Sequence, residues 1–174
     1  MGPRAVPQDV PPADGVAEWF AGRLPDWFEG EPQVLVDREE ITVVGTLPAE
    51  GAGAETGEQW AAGRISRFRE QTRDERMRIA REAERRFGRK VAWGATAGGT
   101  REVFANLAVP VMTRLRQPER RVLDTLVDSG VARSRSEALA WCVRLVGRHT
   151  EDWLEELRTA MQSVEQVRRS GPAA

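Results

Sequence analysis

The sequence predicts an α+β chain organised in two parts. Three observations carry that prediction. Two pairs of strand-like runs flank a long helical periodicity, which gives a small α+β domain (hairpin, long helix, hairpin) over residues 16–108. From Val109 an alternating run leads into two short amphipathic helices and a third, C-terminal one. The charge also changes sign along the chain: residues 1–57 carry a net −8, residues 58–88 a net +3, residues 89–108 a net +2, residues 109–148 a net +4 and residues 149–174 a net −2. A negative front joined to a positive middle is the pattern of a chain that meets a polyanion with one region only.

Residues 1–14 hold four of the ten prolines and read as a flexible tail. In "VAEWFAGRL", Val16, Trp19, Phe20 and Leu24 recur at helical spacing, and Pro25 ends the helix. "QVLVDREEITVVGTLP" gives strands over 33–36 and 41–47, a hairpin whose turn at Asp37 to Glu40 lacks glycine. "AEGAGAETGE" reads as a loop.

Thr56 and Gln59 form a candidate capping box for one long helix, in which Ala61, Ile65, Phe68, Thr72, Ile79, Ala83 and Phe87 recur at steps of three, four or seven residues up to Gly88. Its solvent side would carry Arg64, Arg67, Arg69, Arg73, Arg76, Arg78, Arg81, Arg85 and Arg86. Asp74 stands four before Arg78 and Glu82 four before Arg86, the favourable order for a solvated face. The other reading is an arginine stripe for nucleic acid. "KVAWGATAGGTREVFANLA" reads as strand, glycine turn, strand.

In "VPVMTRLR", Val109, Val111, Thr113 and Leu115 face one way and Pro110, Met112, Arg114 and Arg116 the other, as in a half-buried strand. "QPERRVLDTLVDSG" places Leu123, Leu126 and Val127 on one helical face, with Gly130 at its end. The next helix opens on Ser134 and Glu137, spaced as a capping box, and carries Ala138, Leu139, Trp141, Cys142, Leu145 and Val146 as a broad apolar stripe. That opening admits two readings. It is an ordinary cap, or its unpaired amides, flanked by Arg133 and Arg135, also receive a phosphate. One strand and two short helices of roughly 40 residues are too few for a stable monomer without disulfide or metal, so a second copy is expected to complete the core.

The segment "VMTRLRQPERRVLDTLVDSGVARSRSEALAWCVRLV" resembles the ribbon-helix-helix DNA-binding proteins over residues 109–148. Its Leu-Asp-x-Leu-Val run, Gly-Val-x-Arg-Ser turn and Ser-Glu-Ala-Leu helix start carry the likeness. The resemblance implies a homodimer whose two strands pair into a ribbon that enters the major groove of double-stranded DNA. It implies that Pro110, Met112 and Arg114, with Arg116 at the strand end, face the base edges, and that Ser134, Arg135 and Ser136 clamp a phosphate. Of the three outward strand positions Arg114 is the one good hydrogen-bonding reader, while Pro110 cannot donate and Met112 offers apolar contact.

Residues 149–169, opening on Thr150 as a cap, read as a bracing helix with Leu154, Leu157, Met161 and Val164 at three- and four-residue steps. Residues 170–174 read as a tail.

Cys142 is the only cysteine and His149 the only histidine, so no disulfide, thiolate metal cluster or histidine-rich site is expected. Without a nucleophile–base grouping of clear spacing, neither enzyme activity nor a cofactor is expected. The absence of an apolar run of about 20 residues, or of a signal-peptide core, makes cytoplasmic residence without a membrane role the expectation. The functional expectation is a transcription regulator. The alternative is an interaction or scaffold protein that uses the same core only to dimerise and binds a protein or structured RNA, with residues 16–108 open to a protein partner.

Overall fold

The structure is a computed structural model that describes residues 13–49 and 57–170. The expected tail over 1–14, the Thr56 cap and the last four residues lie wholly or largely outside the described residues. The architecture is α+β, and the chain divides into two compact units, one ending at Pro110 and the other beginning at Val111.

In the first unit, α1 (Val16–Arg23) is followed by β1 (Gln33–Val36) and β2 (Glu40–Thr46), then α2 (Glu58–Gln71) and α3 (Arg73–Phe87), then β3 (Lys90–Ala97) and β4 (Thr100–Val103). The four strands lie in sequence order in one sheet. Both hairpins are antiparallel, and β2 pairs with β3 in parallel, so α2 and α3 form the crossover that a parallel pair requires.

Each turn has a physical cause. In the first, the Asp37 carboxylate accepts from the amides of Glu39 (2.8 Å) and Glu40 (2.7 Å), which does the work of the missing glycine. In the second, Gly98 and Gly99 both take positive φ (52° and 82°), the geometry of a two-residue hairpin turn that matches strand twist.

The helices cover the sheet with two apolar clusters. Val16 and Phe20 from α1 and Ile79, Ala83 and Phe87 from α3 meet Ile41, Val43 and Trp93. Ala61, Ile65 and Phe68 from α2 meet Leu47, Ala95 and Ala97. Trp27 packs against both, in edge contact with Phe68 and Trp93 at 5.8 and 6.2 Å. A fully buried side chain such as Ile41 or Ile65 contributes about 1.5–3 kcal/mol of transfer free energy, so this sheet is the stable frame of the unit.

The single long helix expected over this region is two helices. The Thr72 hydroxyl donates to the Phe68 carbonyl at 2.7 Å, a back-bond that bends helices, and α2 ends there, with the Thr72 backbone at φ −98° and ψ 2°. Each half then follows its own part of the sheet. The apolar spacing is as read, but the arginine face is not uniform: Arg76 is buried at 4% exposure. The expected pairs differ too. Arg78 bonds Glu75 at 2.7 Å rather than Asp74, and Glu82 accepts a two-pronged bond from Arg23 of α1 at 2.7 and 2.9 Å rather than pairing with Arg86.

The second unit holds α4 (Gln117–Asp128), α5 (Arg135–His149) and α6 (Glu151–Ser170). Its core is small: Leu123, Ala132 and Ala138 are buried, with Leu115, Leu126, Val127, Leu139 and Cys142 packed around them. The strand expected over 109–116 is not formed, and residues 105–116 have no regular secondary structure. A strand needs a neighbour to take its amides and carbonyls, and among the described residues no strand pairs with that segment. His149 ends α5, and the Thr150 hydroxyl turns back to the Val146 carbonyl at 2.6 Å.

Candidate nucleic-acid interface

The residues expected to read bases are all exposed. Met112 is 99% and Val111 85% open to solvent, and Pro110, Arg114 and Arg116 are exposed as well. The segment therefore offers both alternating sets of side chains, not one set with the other buried. Leu115 alone turns inward, to the cluster around Leu123. It is also fixed at its end, because Arg120 donates to the Leu115 carbonyl at 2.8 Å. Arg116 is the N-cap residue of α4, in extended backbone, without a side-chain cap bond.

At the start of α5 the cap is real. Ser134 has extended backbone, and its hydroxyl accepts from the Glu137 amide at 3.2 Å. Glu137 reaches back one residue further than a capping box requires, accepting from the Arg133 amide at 2.7 Å and from the Arg133 guanidinium at 3.2 Å. Arg135 forks onto Asp124 of α4 with bonds of 2.6 and 2.9 Å, so the helix start is tied to its neighbour. Those bonds hold both carboxyl groups below the usual carboxylate range, Asp124 through Arg135 and Glu137 through Arg133. Ser136 is exposed beside them.

Two arginines at this end are therefore already neutralised within the chain. The Arg133–Glu137 pair was legible as an i, i+4 spacing. The Arg135–Asp124 pair was not, because it joins two helices whose approach is set by the Leu123–Ala138 contact. Arg114 and Arg116 make no hydrogen bond or ion pair among the described residues. The free positive charge of this candidate site is thus on the extended segment more than on the helix start.

Among the described residues no group of histidine, cysteine, aspartate and glutamate side chains could hold a metal ion, and no helix is long and apolar enough to cross a membrane. Cys142 is half-buried against the small core.

Residues 14–103 match the family model described as Rv1265-like protein, N-terminal domain, and residues 116–168 match that of the Mb1296 C-terminal domain. The uncharacterized protein Rv1265 of Mycobacterium tuberculosis and the uncharacterized protein Mb1296 of Mycobacterium bovis are each 64% identical to this chain over 163 residues, spanning 93% of it and 72% of the relative. No solved structure matches the chain. With the first match covering just over half of its length and the second most of the remainder, the chain belongs to the Rv1265-like protein family.

Proposed function

We propose that the chain is a homodimeric DNA-binding protein, a transcription regulator in which residues 109–116 of two copies pair as a ribbon and α4 and α5 form the ribbon-helix-helix core. The observation that carries this reading is the largely exposed segment 109–116, directly ahead of two helices, the second capped by Ser134, whose shared core has three buried residues. Pairing with a second copy would satisfy its backbone and cover Val109 and Val111 on one side, leaving Met112 and Arg114 on the other. The resulting face would be positive, in keeping with the net +4 of residues 109–148.

The test is light scattering joined to fluorescence anisotropy on a labelled duplex across a salt series. A dimer at micromolar concentration is expected, with affinity falling as salt rises. Arg114→Ala should flatten the preference between sequences, since a two-pronged arginine–guanine contact is worth about 1–3 kcal/mol of discrimination. A folded monomer at that concentration would overturn the reading.

One observation favours the second reading, an interaction protein that uses this core only to dimerise. Arg133 and Arg135 are spent on Glu137 and Asp124, so the helix start has less to offer a phosphate. Arg135→Ala separates the two readings. Under the first it lowers the salt slope by about one per lost phosphate contact, and under the second no duplex binding exists to weaken.

A further inference from the structure

A cleft of about 390 Å³ lies between the α2–α3 junction and the sheet, within the first unit. Arg69, Arg73 and Arg76 line it together with Phe104, Val91 and Trp93. Arg76 is buried, yet no carboxylate pairs with it in the bonds that hold it. Its Nε donates to the Thr72 hydroxyl at 2.9 Å and its Nη2 to the Arg69 carbonyl at 2.6 Å, both neutral acceptors. Its guanidinium stands 5.0 Å from the centre of the Phe104 ring, and that of Arg69 stands 5.4 Å from the same centre.

Burying an uncompensated cation is costly. Desolvation, together with Arg69 and Arg73, pushes the Arg76 guanidinium down to about 10. The acids nearby do little to relieve this. Glu102 meets Arg69 at a long 3.6 Å, and Glu70, also on the cleft wall, accepts from Ser66 at 3.4 Å. Arg73 is exposed at the rim. On the cleft wall Trp93 is a second unmatched polar group, since its Nε1 is buried without a hydrogen-bond partner.

We infer that this cleft is a binding site for a small organic anion, whose charged head is received by Arg73 and Arg76 and whose apolar body lies against Phe104 and Val91. The geometry suits that class. A volume of this size lies in the range of small-molecule sites, which are apolar concavities with a few convergent polar groups. Planar guanidinium groups receive carboxylate or phosphate oxygens two at a time. An anionic head would supply the countercharge that Arg76 lacks, so binding should raise the stability of the first unit. The site uses residues of that unit alone and stands whether or not the second unit meets DNA.

The experiment is thermal denaturation and calorimetric titration of the full chain with three probes: inorganic phosphate, phenyl phosphate and benzoate. Phenyl phosphate should raise the melting temperature and bind more tightly than inorganic phosphate, because only the former fills the apolar wall. Benzoate reports whether a carboxylate head is also accepted. Binding by any of the three supports the site, and their order identifies the head. Arg73→Gln, at an exposed position that leaves the fold intact, should weaken phenyl phosphate about tenfold, equivalent to about 1.4 kcal/mol. Arg76→Met should abolish binding while keeping or raising the melting temperature of the unliganded chain, because it removes the unpaired charge. Arg67→Gln, an exposed arginine of α2 outside the cleft, should change nothing. The inference is overturned if none of the probes shifts the melting temperature at millimolar concentration. It is equally overturned if Arg73→Gln and Arg76→Met bind like the parent, or if Arg73→Gln weakens only duplex binding, which would assign these arginines to nucleic acid.

Discussion

Single side chains settle several questions that the pattern of the chain leaves open. Asp37 replaces a turn glycine by accepting two backbone amides, a role that a short carboxylate or amide at this position fills better than a hydroxyl. Asp37→Ala should therefore lower stability by about 1 kcal/mol, and Asp37→Asn by less, in urea denaturation followed by circular dichroism. The ion pairs at the start of α5 predict a pH dependence with a definite sign. Asp124 and Glu137 titrate lower in the folded chain than they would unfolded. Their contribution is thus complete above the ordinary carboxylate range and is lost as the pH falls below about 4. Acid titration of the parent should show helix loss in that window. Arg135→Ala should remove the Asp124 share of the acid sensitivity, since without its partner that carboxyl returns to its ordinary range.

At the level of elements, the β3–β4 hairpin is the most constrained. Gly94 faces Val103 across the ladder, and a Cβ there would stand 2.6 Å from the Glu102 carbonyl oxygen and 3.2 Å from the Val103 Cα, both backbone atoms that cannot swing away. Gly94→Ala should force β4 off β3 and cost about 1–3 kcal/mol, read as a lower urea midpoint. Gly45→Ala meets the Phe28 ring instead, so it tests whether that side chain can yield. Elements like these were legible where the cause is local. Strand-like runs bounded by turn residues gave the strands, the Gly98–Gly99 pair gave the second turn, and Pro25 and Gly88 gave helix ends. The break at Thr72 was not legible, because a threonine on the apolar face fits an unbroken helix equally well until its hydroxyl finds the Phe68 carbonyl. The parallel pairing of β2 with β3 was also hidden, since alternation says which face a residue takes but not which strand lies beside it. Arg76 is a different case. It stands four residues after Thr72 and three before Ile79, so its spacing already places it on the buried stripe, and only its charge reads as solvent-facing. The segment over 109–116 is the opposite case: its alternation is evident, yet alternation without a partner does not make a strand.

At the scale of the whole chain, charge is divided between regions that the fold keeps in separate units. Residues 1–57 carry a net −8 and residues 109–148 a net +4. If DNA binds the second region as proposed, the first is a competing polyanion tethered to it, held at a high effective concentration by the connecting chain. A shortened chain beginning at Ala108 should then bind a duplex more tightly than the full chain at low salt. The advantage should fade as salt is added, because the screening length falls from about 30 Å at 0.01 M to about 3 Å at 1 M. A contact-based inhibition by the first unit would persist at high salt, so the salt series distinguishes long-range competition from docking. The measurement is anisotropy of one labelled duplex with both chains, each checked for its dimer by light scattering. Equal affinity at the lowest salt would dismiss the competition while leaving DNA binding in place. Tighter binding by the full chain would mean that the arginines of the first unit reach the duplex themselves. In that event Arg73→Gln in the full chain should lower duplex affinity toward that of the shortened chain.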